Sequence, residues 1–183
     1  MIFRSIANSS RHCNGASNNC VKVRRVTIIE QRLAELHLAL PVASNPAANY
    51  TNAVEAAGGL LFVSGKAPPA PAGAKPPRGK LGREFTTRQG YEFARATGID
   101  ILAVLKLALG DLDRVVRVVK LQGFINATED FDEHPQVLNG CSDLMVDVFG
   151  PRGVHARSVL GAASLRAGVP LVIESVFEIT PSA

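Results

Sequence analysis

Apolar residues follow no sustained period across "MIFRSIANSSRHCNGASNNCVKVRR", and a helical period starts soon after it. In "IEQRLAELHLAL" Ile29, Leu33, Leu36 and Leu40 recur at three- and four-residue steps, and Pro41 closes the segment. The run from Tyr50 reads as a hairpin, with Gly58 and Gly59 as its turn and Leu60–Ser64 as the apolar return strand. "KAPPAPAGAKPPRGK" is too rich in proline and glycine for a core element and reads as a surface loop. From Thr86 the period is helical again. Tyr91, Ala94, Gly98, Ile101, Leu105 and Leu109 share a face, Thr86 and Gln89 form a capping box, and Gly110 is the stop. "DRVVRVVKLQGFI" is dense in β-branched residues and reads as a strand of about ten residues. "HPQVLNGCSDLMVDVFG" returns to helix, with Val137, Cys141, Leu144, Val148 and Phe149 inward and Gly150-Pro151 as the stop. Two apolar strands follow, Ser158–Leu165 and Leu171–Ile179, which read as a hairpin joined by a short Arg-Ala-Gly-Val turn.

The predicted order is helix, two strands, long helix, strand, helix, two strands. Two ββαβ-like halves of this kind build an α+β fold, a mixed β-sheet with both long helices packed on one face. The last two strands carry Val159, Leu160, Leu171, Val172, Ile173 and Val176, so the face the helices leave open is also apolar. Such a face has to be hidden, and self-association is the simplest way; a homo-oligomer is predicted.

Charge and cysteine content narrow the function classes. The formal charge is +4 over 183 residues, but residues 1–29 hold five basic residues and no acid. The rest holds 15 basic and 16 acidic residues and is close to neutral, without the clustered Lys/Arg of a nucleic-acid surface. No apolar run approaches the roughly 18–20 residues of a membrane span. Three cysteines make no disulfide framework, so a reducing compartment is the expectation. His12, Cys13 and Cys20 are too few and too widely spaced for a convincing metal site, and no metal or cofactor is expected. Residues 1–28 read as a disordered extension or an Arg- and Ser-rich targeting segment, and residues 29–183 as one domain. The expected location is cytoplasmic, or organellar if the first segment is a transit peptide.

"GGLLFVSGK", "ALGDLDRVVRVVKLQGFI", "ARSVLGAASL" and "VIESVFEI" occur in this order. Together they resemble the RidA (YjgF, L-PSP endoribonuclease-like) family, in its chorismate-mutase-like branch, over about residues 30–180. The resemblance implies a trimer whose sheets form a central barrel, with a ligand pocket at each subunit interface. It also implies hydrolysis of small reactive 2-imino acids to 2-keto acids and ammonia. An imino acid carries a carboxylate that a planar guanidinium grips with two parallel hydrogen bonds. Arg157 in "HARS" matches the family's carboxylate-binding arginine. Tyr50 matches a pocket-wall tyrosine, Ser64 and Gly65 match the loop that approaches the ligand, and Asn139 matches a helix asparagine. Lys66 stands where the family usually has glutamine, and Val159 where it often has cysteine.

One departure divides the functional reading. The final strand of typical deaminases reads Val-Glu-Ile-Glu, and its first glutamate orients the hydrolytic water; here that position is Val172, and Glu174 matches the second. Val172 and Glu174 share a strand face about 6.5–7 Å apart, and only a bulge in "LRAGVP" would carry Glu174 to the water site. Two expectations stay open: a 2-imino acid deaminase that uses Arg157 and Glu174, and a non-catalytic trimeric module that binds small carboxylates or regulates through them. On the residues alone, Arg157 also fits an edge charge, Tyr50 an interface residue, Ser64 a strand-end polar residue and Asn139 an exposed helix position. His155 reads as a loop histidine, and Asp143 with Asp147 as a solvated helix face rather than a metal pair. Ribonuclease chemistry fits the near-neutral domain poorly, and chorismate mutase chemistry would rest on fold alone.

Overall fold

A computed structural model describes residues 27–46, 48–71 and 73–181. The first 26 residues, including His12, Cys13 and Cys20, lie outside the described residues, so the readings made of that segment do too. A short helix α1 (Ile28–Glu35) is followed by strands β1 (Ala53–Ala56) and β2 (Leu60–Lys66). The long helix α2 (Thr87–Leu109) leads through a 3-10 turn into β3 (Val115–Asn126). Helix α3 (His134–Phe149), β4 (Ala156–Ala162) and β5 (Leu171–Ile179) complete the order predicted from the apolar pattern.

The helix ends follow the local chemistry. Thr86 and Gln89 form the reciprocal capping box of α2, satisfying two amides that the first turn leaves without helical partners, and Gly110 ends it at φ 72°. α1 stops earlier than the leucine spacing suggests. His37, at φ 54°, turns the chain, and Leu36, Leu38 and Leu40 reach the core from a non-helical segment. Asp113 fixes the start of α1 by accepting the amides of Ile28 and Ile29, each at 2.9 Å.

The sheet order is β1-β2-β5-β3-β4, with β3 and β4 parallel and every other pair antiparallel. The last two strands are therefore not a hairpin. β3 lies between them, and the segment from Ala163 to Pro170 crosses its end. The alternation of apolar and polar residues is the same in both topologies, so the pattern could not separate them. β4 also begins and ends earlier than predicted, because its register with β3 runs from Lys120↔Ala156 to Asn126↔Ala162 and stops where β3 stops. Likewise, the first hairpin starts at Ala53 rather than Tyr50, and β2 continues to Lys66.

α2 and α3 pack on one face of the sheet, over Leu61, Val118, Leu121, Ile125, Ile173 and Phe177. The opposite face carries Val54, Phe62, Phe124, Leu160, Val172 and Val176, of which Val54, Phe62 and Leu160 are 53%, 46% and 49% exposed. Of the six residues from which an apolar open face was predicted, Leu160, Val172 and Val176 lie on it, whereas alternation turns Val159, Leu171 and Ile173 to the helix side.

Candidate functional site

Arg157 sits on the edge strand β4 opposite Leu121, and so projects toward the helix layer. Its Nη1 donates to Asn139 Oδ1 at 2.7 Å and to Ser142 Oγ at 3.2 Å. Asn139 and Ser142 are three residues apart on α3, on one side of the helix. His155 extends the chain. Its Nδ1 lies 2.6 Å from the Gly153 carbonyl and its Nε2 3.1 Å from Ser142 Oγ. A carbonyl only accepts, so Nδ1 carries a proton; in a neutral ring Nε2 then accepts from the Ser142 hydroxyl. Arg157 is thus held in place by uncharged partners and keeps its charge while remaining exposed. Ser142 and His155 are additions to what the sequence singled out for this cluster. His155 lies in the loop before β4, as its sequence position suggests, and the fold brings it to Ser142 on α3.

The second cluster lies three strands away. At about 4.8 Å per strand, β2 and β4 are roughly 14 Å apart across β5 and β3. There Tyr50 and Gly65 line a cleft of about 370 Å³, with Lys66, Arg78 and Arg166. β2 bulges between Val63 and Lys66, so three residues on β2 span two on β5. Regular alternation would turn Lys66 to the open face; the bulge turns it inward, where it is 5% exposed. Its Nζ donates to Ser44 Oγ at 2.9 Å and Asn52 Oδ1 at 2.7 Å, and lies 3.8 Å from Asp100 Oδ2. Asp100, itself 4% exposed, accepts from the amide and the hydroxyl of Ser44 at 3.2 and 2.8 Å. This buried pair ties α2 and β2 to the segment that leads to Tyr50.

Val172 packs directly over Gly65: a Cβ built on Gly65 would lie 2.8 Å from Val172 Cγ1. The valine that replaces the expected acid therefore stands at the glycine of the ligand loop, with no room for a larger residue opposite it. Glu174 is one rung on, paired with Gln122, and faces a shallow groove of about 230 Å³ with Ser64, Lys120 and Phe62. The Ser64 hydroxyl donates to the Thr51 carbonyl at 2.6 Å. Within one chain, then, Arg157 and Asn139 stand together, Tyr50 and Gly65 share the cleft, and Ser64 and Glu174 share the open sheet face. The three groups do not meet.

Other candidates are occupied. Asp143 accepts from the Tyr91 hydroxyl at 3.0 Å, and Asp147 pairs with Arg95 at 3.3 Å, so both link α3 to α2. Burial pushes the Cys141 thiol up to about 12, which leaves it protonated and unreactive near neutrality. The described residues contain no group of three or more His, Cys, Asp or Glu side chains placed to hold a metal ion. No helix among them is long and apolar enough to cross a membrane.

A family model described as "YjgF/chorismate_mutase-like, putative endoribonuclease" matches residues 30–173. The chain belongs to the YjgF/chorismate-mutase-like family. Protein TCP17 of Trypanosoma cruzi is 40% identical over 152 residues, which is 82% of this chain and 94% of that protein. A protein of unknown function from Agrobacterium tumefaciens is 39% identical, with a TM-score of 0.74 over 83% of this chain and 92% of its own. A protein from Shewanella oneidensis with the same endoribonuclease description is 29% identical, with a TM-score of 0.78 over 84% of this chain and all of its own. The YjgF fold is thus shared along almost all of the described chain.

Proposed function

We propose that the chain is a YjgF-family hydrolase of small 2-imino acids, working as an oligomer in which Arg157 of one copy faces the Tyr50–Gly65 cleft of another. The observation that carries this reading is Arg157 itself: an exposed guanidinium held by Asn139 and Ser142 rather than by an acid. Neutral partners fix its direction without spending its charge, which suits the grip of a ligand carboxylate. The separation of the two clusters, and an open sheet face bearing Val54, Phe62 and Leu160, support assembly through that face, in a trimer as the family resemblance implies. In the reaction, water adds to the imine carbon and a proton goes to its nitrogen. The C–N bond of the carbinolamine then breaks, leaving a 2-keto acid and ammonia. Arg157 neutralises the carboxylate throughout, and the closed pocket keeps the imine and water in reacting geometry.

The test is keto-acid release from an imine generated in situ by an amino-acid oxidase. Wild type is expected to accelerate release over buffer, and Arg157→Ala to remove the acceleration. A wild-type protein that matches buffer overturns the hydrolase reading.

Val172 favours a second reading. An apolar side chain covers Gly65 where a water-orienting carboxylate is wanted, and Glu174 faces Gln122 on the next rung. On this reading the same pocket holds small carboxylates without turning them over. Saturable binding of 2-ketobutyrate with no imine hydrolysis supports it; an active wild-type enzyme excludes it.

A further inference from the structure

Arg78 and Arg166 are 88 positions apart in the sequence, yet they line the same cleft as Tyr50 and Gly65. Their meeting is built. The Gly79 amide donates to the Gly168 carbonyl at 2.9 Å, joining the two loops. Buried Asn126, at the end of β3, donates through Nδ2 to the carbonyls of Gly79 and Val169 at 3.3 and 3.2 Å. Lys80 Nζ completes the clamp by donating to Asn126 Oδ1 at 2.7 Å and to the Ala163 carbonyl at 2.6 Å. Between Arg166 and Gly168 the chain passes through Ala167 at φ 52°, a left-handed conformation that a residue with a Cβ adopts only when its surroundings hold it there.

Neither guanidinium has a hydrogen bond or ion pair among the described residues, and no carboxylate lines the cleft. The nearby acid Asp100 is buried and taken up by Ser44 and Lys66. Two cations lining one cleft repel each other, and among the described residues no acid on the cleft wall offsets the repulsion until an anion enters. The cleft is of a size for a small molecule.

We propose that the ligand carries a second anionic group, a distal carboxylate, which Arg78 and Arg166 hold while Arg157 of a neighbouring copy takes the α-carboxylate. This rests on reading the cleft as one half of the imino-acid pocket. The substrates it selects are imines of dicarboxylic amino acids, and its products are 2-keto diacids.

A matched pair of keto acids tests it: 2-oxoglutarate and 2-oxopentanoate have the same carbon count and differ in the distal carboxylate. Calorimetric titration of the full-length protein at low ionic strength is expected to give about tenfold or more tighter binding of 2-oxoglutarate, shrinking as salt rises. Arg78→Ala and Arg166→Ala, both at exposed positions, are each expected to bring 2-oxoglutarate toward the affinity of 2-oxopentanoate. Equal affinities in wild type, or a preference that survives both substitutions together, overturn the proposal. So does tighter binding of 2-phosphoglycolate than of 2-oxoglutarate, since the second group would then be a phosphate. The outcome separates the two claims. Arg157-dependent binding of 2-oxopentanoate without a diacid preference removes only the dicarboxylate assignment. A diacid preference that depends on Arg78 and Arg166 while Arg157→Ala changes nothing removes only the imino-acid pocket.

Discussion

Lys66 and Arg157 are both cations held by several hydrogen bonds near a strand end, and their surroundings are opposite. Lys66 is buried and closed off by Ser44, Asn52 and Asp100; its charge is neutralised where it stands. Arg157 is exposed, and Asn139 and Ser142 aim it without neutralising it. The number of hydrogen bonds does not separate a structural cation from a binding one. The presence of a partner acid and the loss of water do. The Lys66 cluster is expected to govern stability and the Arg157 cluster ligand affinity.

The largest expected effect is on stability. Asp100→Ala leaves a buried ammonium without its counter-ion and is expected to cost about 3–5 kcal/mol in urea denaturation. Replacing both partners, Lys66→Met with Asp100→Leu, is expected to cost clearly less, because no charge is then stranded. A single-variant loss as small as the double one would break the contrast with Arg157.

Val172→Glu comes next. If the pocket lacks only a water-orienting carboxylate, imine hydrolysis is expected to rise by about 100-fold, the lower end for a placed general base. Val172 is only part-buried, on the open face of the sheet, so the variant is expected to fold, which circular dichroism checks. No gain from an inactive starting protein would mean that the pocket fails for some other reason.

Arg157→Ala is expected to weaken 2-ketobutyrate binding about 10–100-fold while moving the denaturation midpoint little, as befits an exposed side chain. Arg157→Lys recovers only part of the affinity, since a point charge lacks the paired donors. A stability loss matching that of Asp100→Ala would place Arg157 in the structural class after all. The smallest effect expected is that of Ser142→Ala. Losing one neutral hydrogen bond to the guanidinium costs about 0.5–1.5 kcal/mol of binding, some 2–12-fold in titration.

How much of this was legible in the sequence depends on what each feature needs. α2 with both its caps, the inward face of α3 and the span of β5 follow from local residue choice and are seen, and the apolar open face is seen with half of the residues expected on it. Arg157 and Asn139 were found through motif resemblance, and the fold brings them within hydrogen-bonding distance. Lys66 was hidden by a single extra residue in β2, which reverses the parity on which any inside-outside assignment depends. A signal existed: a lysine ending the apolar run "LLFVSGK" and an aspartate inside "GIDILAVLKLAL" are each out of place alone and make sense as a pair. The Arg78–Arg166 meeting and the place of β4 beside β3 left no such signal, because both arise from pairing between segments distant in the chain.

The parallel pairing of β3 and β4 has a consequence for the condition under which the Arg157 cluster is complete. A parallel neighbour cannot arrive by a tight turn; β4 reaches its place on β3 only by way of the crossover through α3. Among the described residues β4 has no other partner strand, and it carries Arg157, whose two hydrogen-bonding partners sit on that same helix. The Arg157 cluster is therefore complete only where strand and helix are packed together. On the proposed function, a keto acid gripped by Arg157 would recognise only the finished molecule and add its binding free energy to the native state alone.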